Sequence, residues 1–191
     1  MGNLTMSFKD LNTYAARVSN GITLIDETEF ANLMQELTRI SQLGGTVFVA
    51  GNGGSFATAS HFVTDLCKRS NSSKLRAFAL GANQSLLTMI GNDLGFEQIF
   101  SEELGIHGSE SDLLILLSAS GNSENLLFAA EVAKKMKIKV VGVTGFDGGE
   151  LAKLADISIH TPSQMGEYAL VEDAHSIVCH FVSVTLRNEE F

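Results

Sequence analysis

Five short apolar runs, each ending in small or polar residues and followed by a helix-like stretch, constrain this chain more than any other feature. They lie at 46–50, 76–80, 112–117, 139–144 and 157–160. The third contains Leu-Leu-Ile-Leu-Leu, apolar at every position, as strands covered on both faces are. Between the runs, stripes such as Leu126, Ala129, Ala130 and Ala133 recur at helical spacing. The alternation predicts an α/β fold, a parallel five-stranded sheet flanked by helices through right-handed crossovers. With 191 residues and no Pro/Ser-rich linker, the expectation is one domain.

The chain ahead of the first run reads as two helices. Phe8, Leu11, Ala15, Val18 and Ile22 form one apolar stripe, and Phe30, Leu33, Met34, Leu37 and Ile40 a second. Asp26 with Glu29 predicts a capping box, and Gly44-Gly45 a stop. Residues 1–45 are therefore expected to be a helical arm of the same domain. Its stripes need a surface, either the domain's own sheet or a second copy of the chain.

Thirteen basic against 22 acidic residues give a formal charge of −9, which disfavours nucleic acid as a partner. Cys67 and Cys179 lie in apolar, helix-like stretches without Cys-x-x-Cys spacing, as free thiols of a reducing compartment do. No secretory leader pattern and no uninterrupted apolar run of roughly 18 residues appear, so the expectation is a cytoplasmic chain with no membrane partner.

Three strand exits look alike. They are Gly51-Asn52-Gly53-Gly54-Ser55, Ser118-Ala119-Ser120-Gly121-Asn122-Ser123 and Gly145-Phe146-Asp147-Gly148-Gly149. In open α/β sheets ligands lie beyond the carboxyl ends of the strands. The serine loop offers three hydroxyls, a glycine for a tight turn and a residue placed to open a helix, a composition suited to a phosphate group. It contains no Lys or Arg, so hydroxyls and backbone N–H groups would hold the anion. The first glycine loop is neither a Walker motif nor a dinucleotide fingerprint, since Phe56 stands where a third glycine would be needed.

His61 and Asp65 are four residues apart and share a helical face. Glu172 and His180, eight residues apart, are separated by about 80° round a helix. Two imidazoles and two carboxylates suit zinc or another divalent ion of borderline softness, although each pair alone is also what a solvated polar face looks like. Asn92 and Asp93 could bind sugar hydroxyls or simply cap a turn. Asp173 and His175 face elsewhere and read as structural or interfacial; His107 and His160 read as surface or strand-end residues.

In this order and spacing the motifs resemble the phosphoheptose isomerases, single-domain proteins of the sugar isomerase (SIS) fold. The likeness rests on Gly-Asn-Gly-Gly-Ser at 51–55, His61, Gly-Asn-Asp-Leu-Gly-Phe at 91–96, Ser-x-Ser-Gly-Asn-Ser at 118–123, Thr-Gly-Phe-Asp-Gly-Gly at 144–149 and the Glu172…His180 stretch. It implies that 46–191 is a sugar-phosphate-binding SIS domain and that the protein is a homotetramer with sites between subunits. The implied reaction converts sedoheptulose 7-phosphate to D-glycero-D-manno-heptose 7-phosphate for cell-surface glycans.

By the same resemblance Ser118, Ser120 and Ser123 match phosphate-binding hydroxyls, with Ala119 between them and Ser55 close by. Asn52, Gly53, Gly54, Asn92 and Asp93 match positions lining the sugar. His61, Asp65, Glu172 and His180 match a zinc site of some members. Two departures stand out: the family's usual Glu, its catalytic base, is Asp65 here, and its usual Gln is Glu172. A base must reach within about 2.6–3.2 Å of its proton, directly or through one water. The expectation is that Glu172 takes or shares base duty, with Asp65 mainly a ligand and His180 an acid or ligand. Two alternatives stay open: a non-catalytic SIS protein that binds sugar phosphates or associates with a replication initiator, and an isomerase of another ketose phosphate.

Overall fold

The third apolar run becomes β3 (Leu113–Ser118), buried at all six positions and central in the sheet. The computed structural model of the chain describes residues 8–68 and 75–187. Around β3 lie β1 (Thr46–Gly51), β2 (Arg76–Ala79), β4 (Lys139–Thr144) and β5 (Ile157–His160), all parallel, in the order β2-β1-β3-β4-β5. Successive strand residues point to opposite faces. Leu113, Ile115 and Leu117 therefore join Val47, Val49, Val141 and Val143 in one core layer, and Leu114 and Leu116 join Phe48, Ala50 and Val140 in the other. β3 starts one residue later than its apolar run because the Asp112 carboxylate is spent on turn hydrogen bonds, accepting from Thr46 N and Ser109 N at 2.7 Å each.

The first layer is covered by α2 (Glu27–Leu43), α3 (Gly54–Leu66) and α8 (Tyr168–Arg187), through Leu33, Leu37, Ile40, Phe62, Val178 and Val182. Beneath the other face lie α4 (Gln84–Asp93), α5 (Ile99–His107), α6 (Glu124–Lys135) and α7 (Gly149–Leu154). Each leucine taken fully out of water in these layers contributes about 1.5–3 kcal/mol, so two continuous apolar faces define the fold.

Asp26 caps α2, accepting from Thr28 N and Glu29 N, and Gly44 ends it at φ +68°. The capping box is only half made. The Glu29 carboxylate instead accepts from Ser158 N at 2.8 Å, fastening the helix to β5. The arm divides its stripes: α2 covers the sheet, while α1 (Phe8–Thr23) lies on α8 with Val18 buried and Leu11 58% exposed. Residues 1–7 of the arm lie outside the described residues, and Phe8 of the first stripe is described only as backbone. Among the described residues α8 alone has the length and hydropathy of a membrane span. Its apolar side, with Val171, Ala174, Val178 and Val182, is buried in the core.

β1 leads to β2 on one side of the sheet and β3 leads to β4 on the other. The strand order thus reverses between β1 and β3, the position at which open α/β sheets leave a crevice at their carboxyl ends.

Candidate active site

The loops that leave β1 and β3 meet in that crevice. Gly121 turns the serine loop at φ +65°, where a side chain would collide with the Gly148 backbone. The loop is tied internally: Ser118 Oγ accepts from Gly121 N at 3.1 Å and Ser120 Oγ from Asn122 N at 3.2 Å. Asn122 Oδ1 in turn accepts from Glu150 N at 3.0 Å. Because these hydroxyl oxygens act as acceptors, their O–H groups remain to donate to an anion. Ser123 occupies the N-cap position of α6, yet its side chain makes no cap hydrogen bond. Asn52 on the first loop and Asn125 on α6 exchange amide hydrogen bonds of 2.9 Å in both directions, locking the two loops together.

Between the loops lies a cleft of about 100 Å³, lined by Asn52, Ser55, Ser118, Ser120, Ser123 and Glu172, together with Ala119 and Tyr168. Glu172, on the first turns of α8, reaches it because Gly54 opens α3 without a side chain. A Cβ there would lie 2.5 Å from Glu172 Cδ and Oε1. Tyr14 on α1 steadies this part of α8, donating to Asp173 Oδ2 at 2.7 Å. That bond, then burial and the charges of Asp173 and Glu172, push the Tyr14 phenol up to about 12.

A second cluster forms where α3 crosses α8. His61 Nε2 and His180 Nε2 are 2.9 Å apart, and Asp65 Oδ2 lies 3.3 Å from the first and 3.8 Å from the second. All three donor atoms fall within 4.8 Å of one another. Two imidazole nitrogens and one carboxylate oxygen are a donor set that fits zinc and similar divalent ions. Burial alone would raise the pKa of Asp65, but the hydrogen bond and charge of Lys68, followed by the two imidazoles, outweigh it and hold the carboxyl below its usual range. Glu172 is outside this cluster. Eight residues at 1.5 Å rise place it about 12 Å along α8 from His180.

The structure therefore sorts the residues singled out in the sequence into a cleft group and a ligand group within one chain. Asn92 and Asp93 join neither. They are exposed at the end of α4, where Asn92 Nδ2 donates to Asp93 Oδ1 at 2.7 Å. His160 does have a partner, Thr144 Oγ1 at 3.1 Å, at the end of β5. His107 lies against Phe78, ring centroids 5.7 Å apart. His175 is buried with neither ring nitrogen in hydrogen-bond geometry with a partner, and burial drives its pKa down to about 4. Both cysteines are free, and burial, with the Asp65 charge, pushes the Cys179 thiol up to about 12.

Sequence reasoning missed Asn125, Tyr168 and Lys68. Lys68 carried a signal, since it follows Asp65 by three residues, within reach on a helix. Asn125 and Tyr168 carried none, because each depends on loops brought together by the sheet.

A family model described as SIS domain matches residues 13–145. The phosphoheptose isomerase of Rhodospirillum rubrum is 39% identical over 148 residues, covering 76% of this chain and 78% of that protein. The phosphoheptose isomerase of Aneurinibacillus thermoaerophilus is 34% identical over 174 residues, covering 88% of this chain and 87% of that protein. The solved structure of a phosphoheptose isomerase from Francisella tularensis superposes with a TM-score of 0.85 at 27% identity, over 97% of this chain and all (100%) of that one.

Proposed function

Because this chain belongs to the SIS-domain family and is a phosphosugar isomerase of the phosphoheptose isomerase kind, we propose that its reaction runs at the cleft between the β1 and β3 loops. The reaction is the interconversion of sedoheptulose 7-phosphate and D-glycero-D-manno-heptose 7-phosphate. In the ketose-to-aldose direction a base takes a proton from C-1, an enediol forms, and a proton returns at C-2.

Ser118, Ser120 and Ser123, with Ser55 at the start of α3, grip the phosphate through hydroxyl and backbone donors. Anchoring the remote phosphate holds the reacting carbons in register with the base. Asn52, Gly53 and Gly54 line the sugar, with Ala119 of the serine loop beside them. Glu172 is the base. Its carboxylate at the Gly54 end of the hydroxyl-lined cleft is the observation that carries this reading. Asp65 is poorly suited to the task, because one of its oxygens accepts from Lys68 and the other faces the imidazoles.

His61, Asp65 and His180 would hold a divalent cation, for which zinc is our reading, and its charge would polarise the sugar oxygens. His180 then acts as a ligand and not as the acid. Glu172 stands about 12 Å along α8 from His180, and Asn92-Asp93 stand outside the cleft. Both features favour sites completed between copies, with the arm 1–45 serving assembly of a homotetramer. A cytoplasmic setting is the corresponding reading of location.

Metal analysis of the purified protein, combined with a sedoheptulose 7-phosphate turnover assay, tests the proposal. Turnover with about one divalent ion per chain is expected. Tight sugar-phosphate binding with neither metal nor turnover would overturn it in favour of a non-catalytic SIS protein, and turnover of a different ketose phosphate alone would move the substrate.

A further inference from the structure

We propose that Lys68 sets how strongly the His61–Asp65–His180 cluster holds a divalent cation, by occupying one oxygen of the Asp65 carboxylate and placing a positive charge beside the ligands. The inference rests on the reading of those three residues as ligands.

The two oxygens of Asp65 have separate tasks. Oδ2 faces the Nε2 atoms of His61 and His180, whereas Oδ1 accepts from Lys68 Nζ at 2.6 Å. Lys68 stands just past the end of α3 and reaches back three residues to make this contact. It leaves Asp65 a single oxygen to offer, so the cluster is a three-atom donor set and not a four-atom one.

Asp65 does not need Lys68 to point it. Its side chain is 6% exposed and its position on α3, four residues after His61, already aims Oδ2 at the imidazoles. The Lys68 side chain is 57% exposed while its partner carboxylate is 6% exposed, so the pair is half-buried and contributes to the fold as well. Toward a dication the balance differs. The repulsion acts on a doubled charge across one small carboxylate, where solvent screening is weaker than at an open surface. Lys68 thus opposes loading, which makes the site readily exchangeable.

The test uses the full-length, metal-stripped protein with Lys68→Met, which keeps the stem length and removes the charge, and Lys68→Arg, which retains the charge. Zn²⁺ affinity is measured by chelator competition, and Co²⁺ loading by its visible absorption bands, which report coordination number and geometry. The expectation is that Lys68→Met binds Zn²⁺ about tenfold more tightly, with Co²⁺ bands weakened by a second Asp65 oxygen. Lys68→Arg should stay close to wild type in affinity and melting, whereas metal-free Lys68→Met should melt lower, its buried Asp65 carboxylate having lost a partner. Equal or weaker binding by Lys68→Met, with wild type binding normally, overturns the role of Lys68 and leaves the ligand reading standing. If neither wild type nor Lys68→Met binds either ion, the ligand reading fails and this inference falls with it. Binding by Lys68→Met alone supports it in its strongest form.

Discussion

Replacing Gly54 by alanine separates the catalytic account from every stability effect. Gly54 opens α3 without a left-handed backbone, so an alanine fits its conformation. The three atoms nearest the new methyl all belong to the Glu172 carboxylate, two of them at 2.5 Å. An ordinary contact needs about 3.4 Å or more, and the end of a glutamate side chain can yield where backbone cannot. The carboxylate must therefore retreat by about 1 Å, a misplacement that can cost about 100-fold in rate. Losing a glycine at a compatible position should meanwhile stabilise the fold by about 0.4–1 kcal/mol. Steady-state kinetics with sedoheptulose 7-phosphate, beside thermal melting, measure both effects. The expected result is kcat reduced by about two orders of magnitude, KM changed far less than kcat because the phosphate-gripping serine loop is untouched, and a melting temperature equal or higher. A Gly54→Ala protein with wild-type kcat would refute the placement of the base at this end of the cleft.

Two further outcomes follow from the same geometry. Ser123→Ala should raise KM by about 10–100-fold, the loss of one hydrogen bond to a charged group, while stability stays within about 0.5 kcal/mol because the hydroxyl caps nothing; an unchanged KM with a drop of about 1 kcal/mol would instead mark it as an ordinary cap. For His175, the folded pKa of about 4 lies below the ordinary 6.5, so its stabilising contribution is complete above 6.5 and is lost as pH falls toward 4. Urea unfolding should show wild type losing about 2 kcal/mol more than His175→Leu between pH 8 and 5, and parallel losses would contradict the buried neutral imidazole.

Much of the fold was legible in the sequence because it depends on local pattern. The Leu-rich run of β3 is apolar throughout since both its faces are covered, and Gly44 ends α2 where only a residue tolerant of positive φ sits easily. The capping box at Asp26 was half right: Asp26 caps, but Glu29 finds a long-range partner in Ser158 that no local rule could supply. The separation of Glu172 from His180 was partly readable from eight residues of helix. Its outcome depended on Gly54, whose missing side chain makes room for one carboxylate at the serine cleft. The Lys68 contact obeys a simple i,i+3 spacing rule, but a lysine is not a metal ligand and its pairing with Asp65 shows only in the fold. Asn92 and Asp93 show the opposite case, a polar pair that suits a sugar by composition and stands outside the cleft of its own chain.

The most direct measurement of the central claim is solvent hydrogen exchange during turnover in D₂O, comparing wild type with Glu172→Gln. Wild type should place deuterium at C-2 of the aldose product, whereas Glu172→Gln should still bind the sugar phosphate but neither exchange nor isomerise it. Exchange by Glu172→Gln at the wild-type rate would contradict the account and return the proton transfer to Asp65.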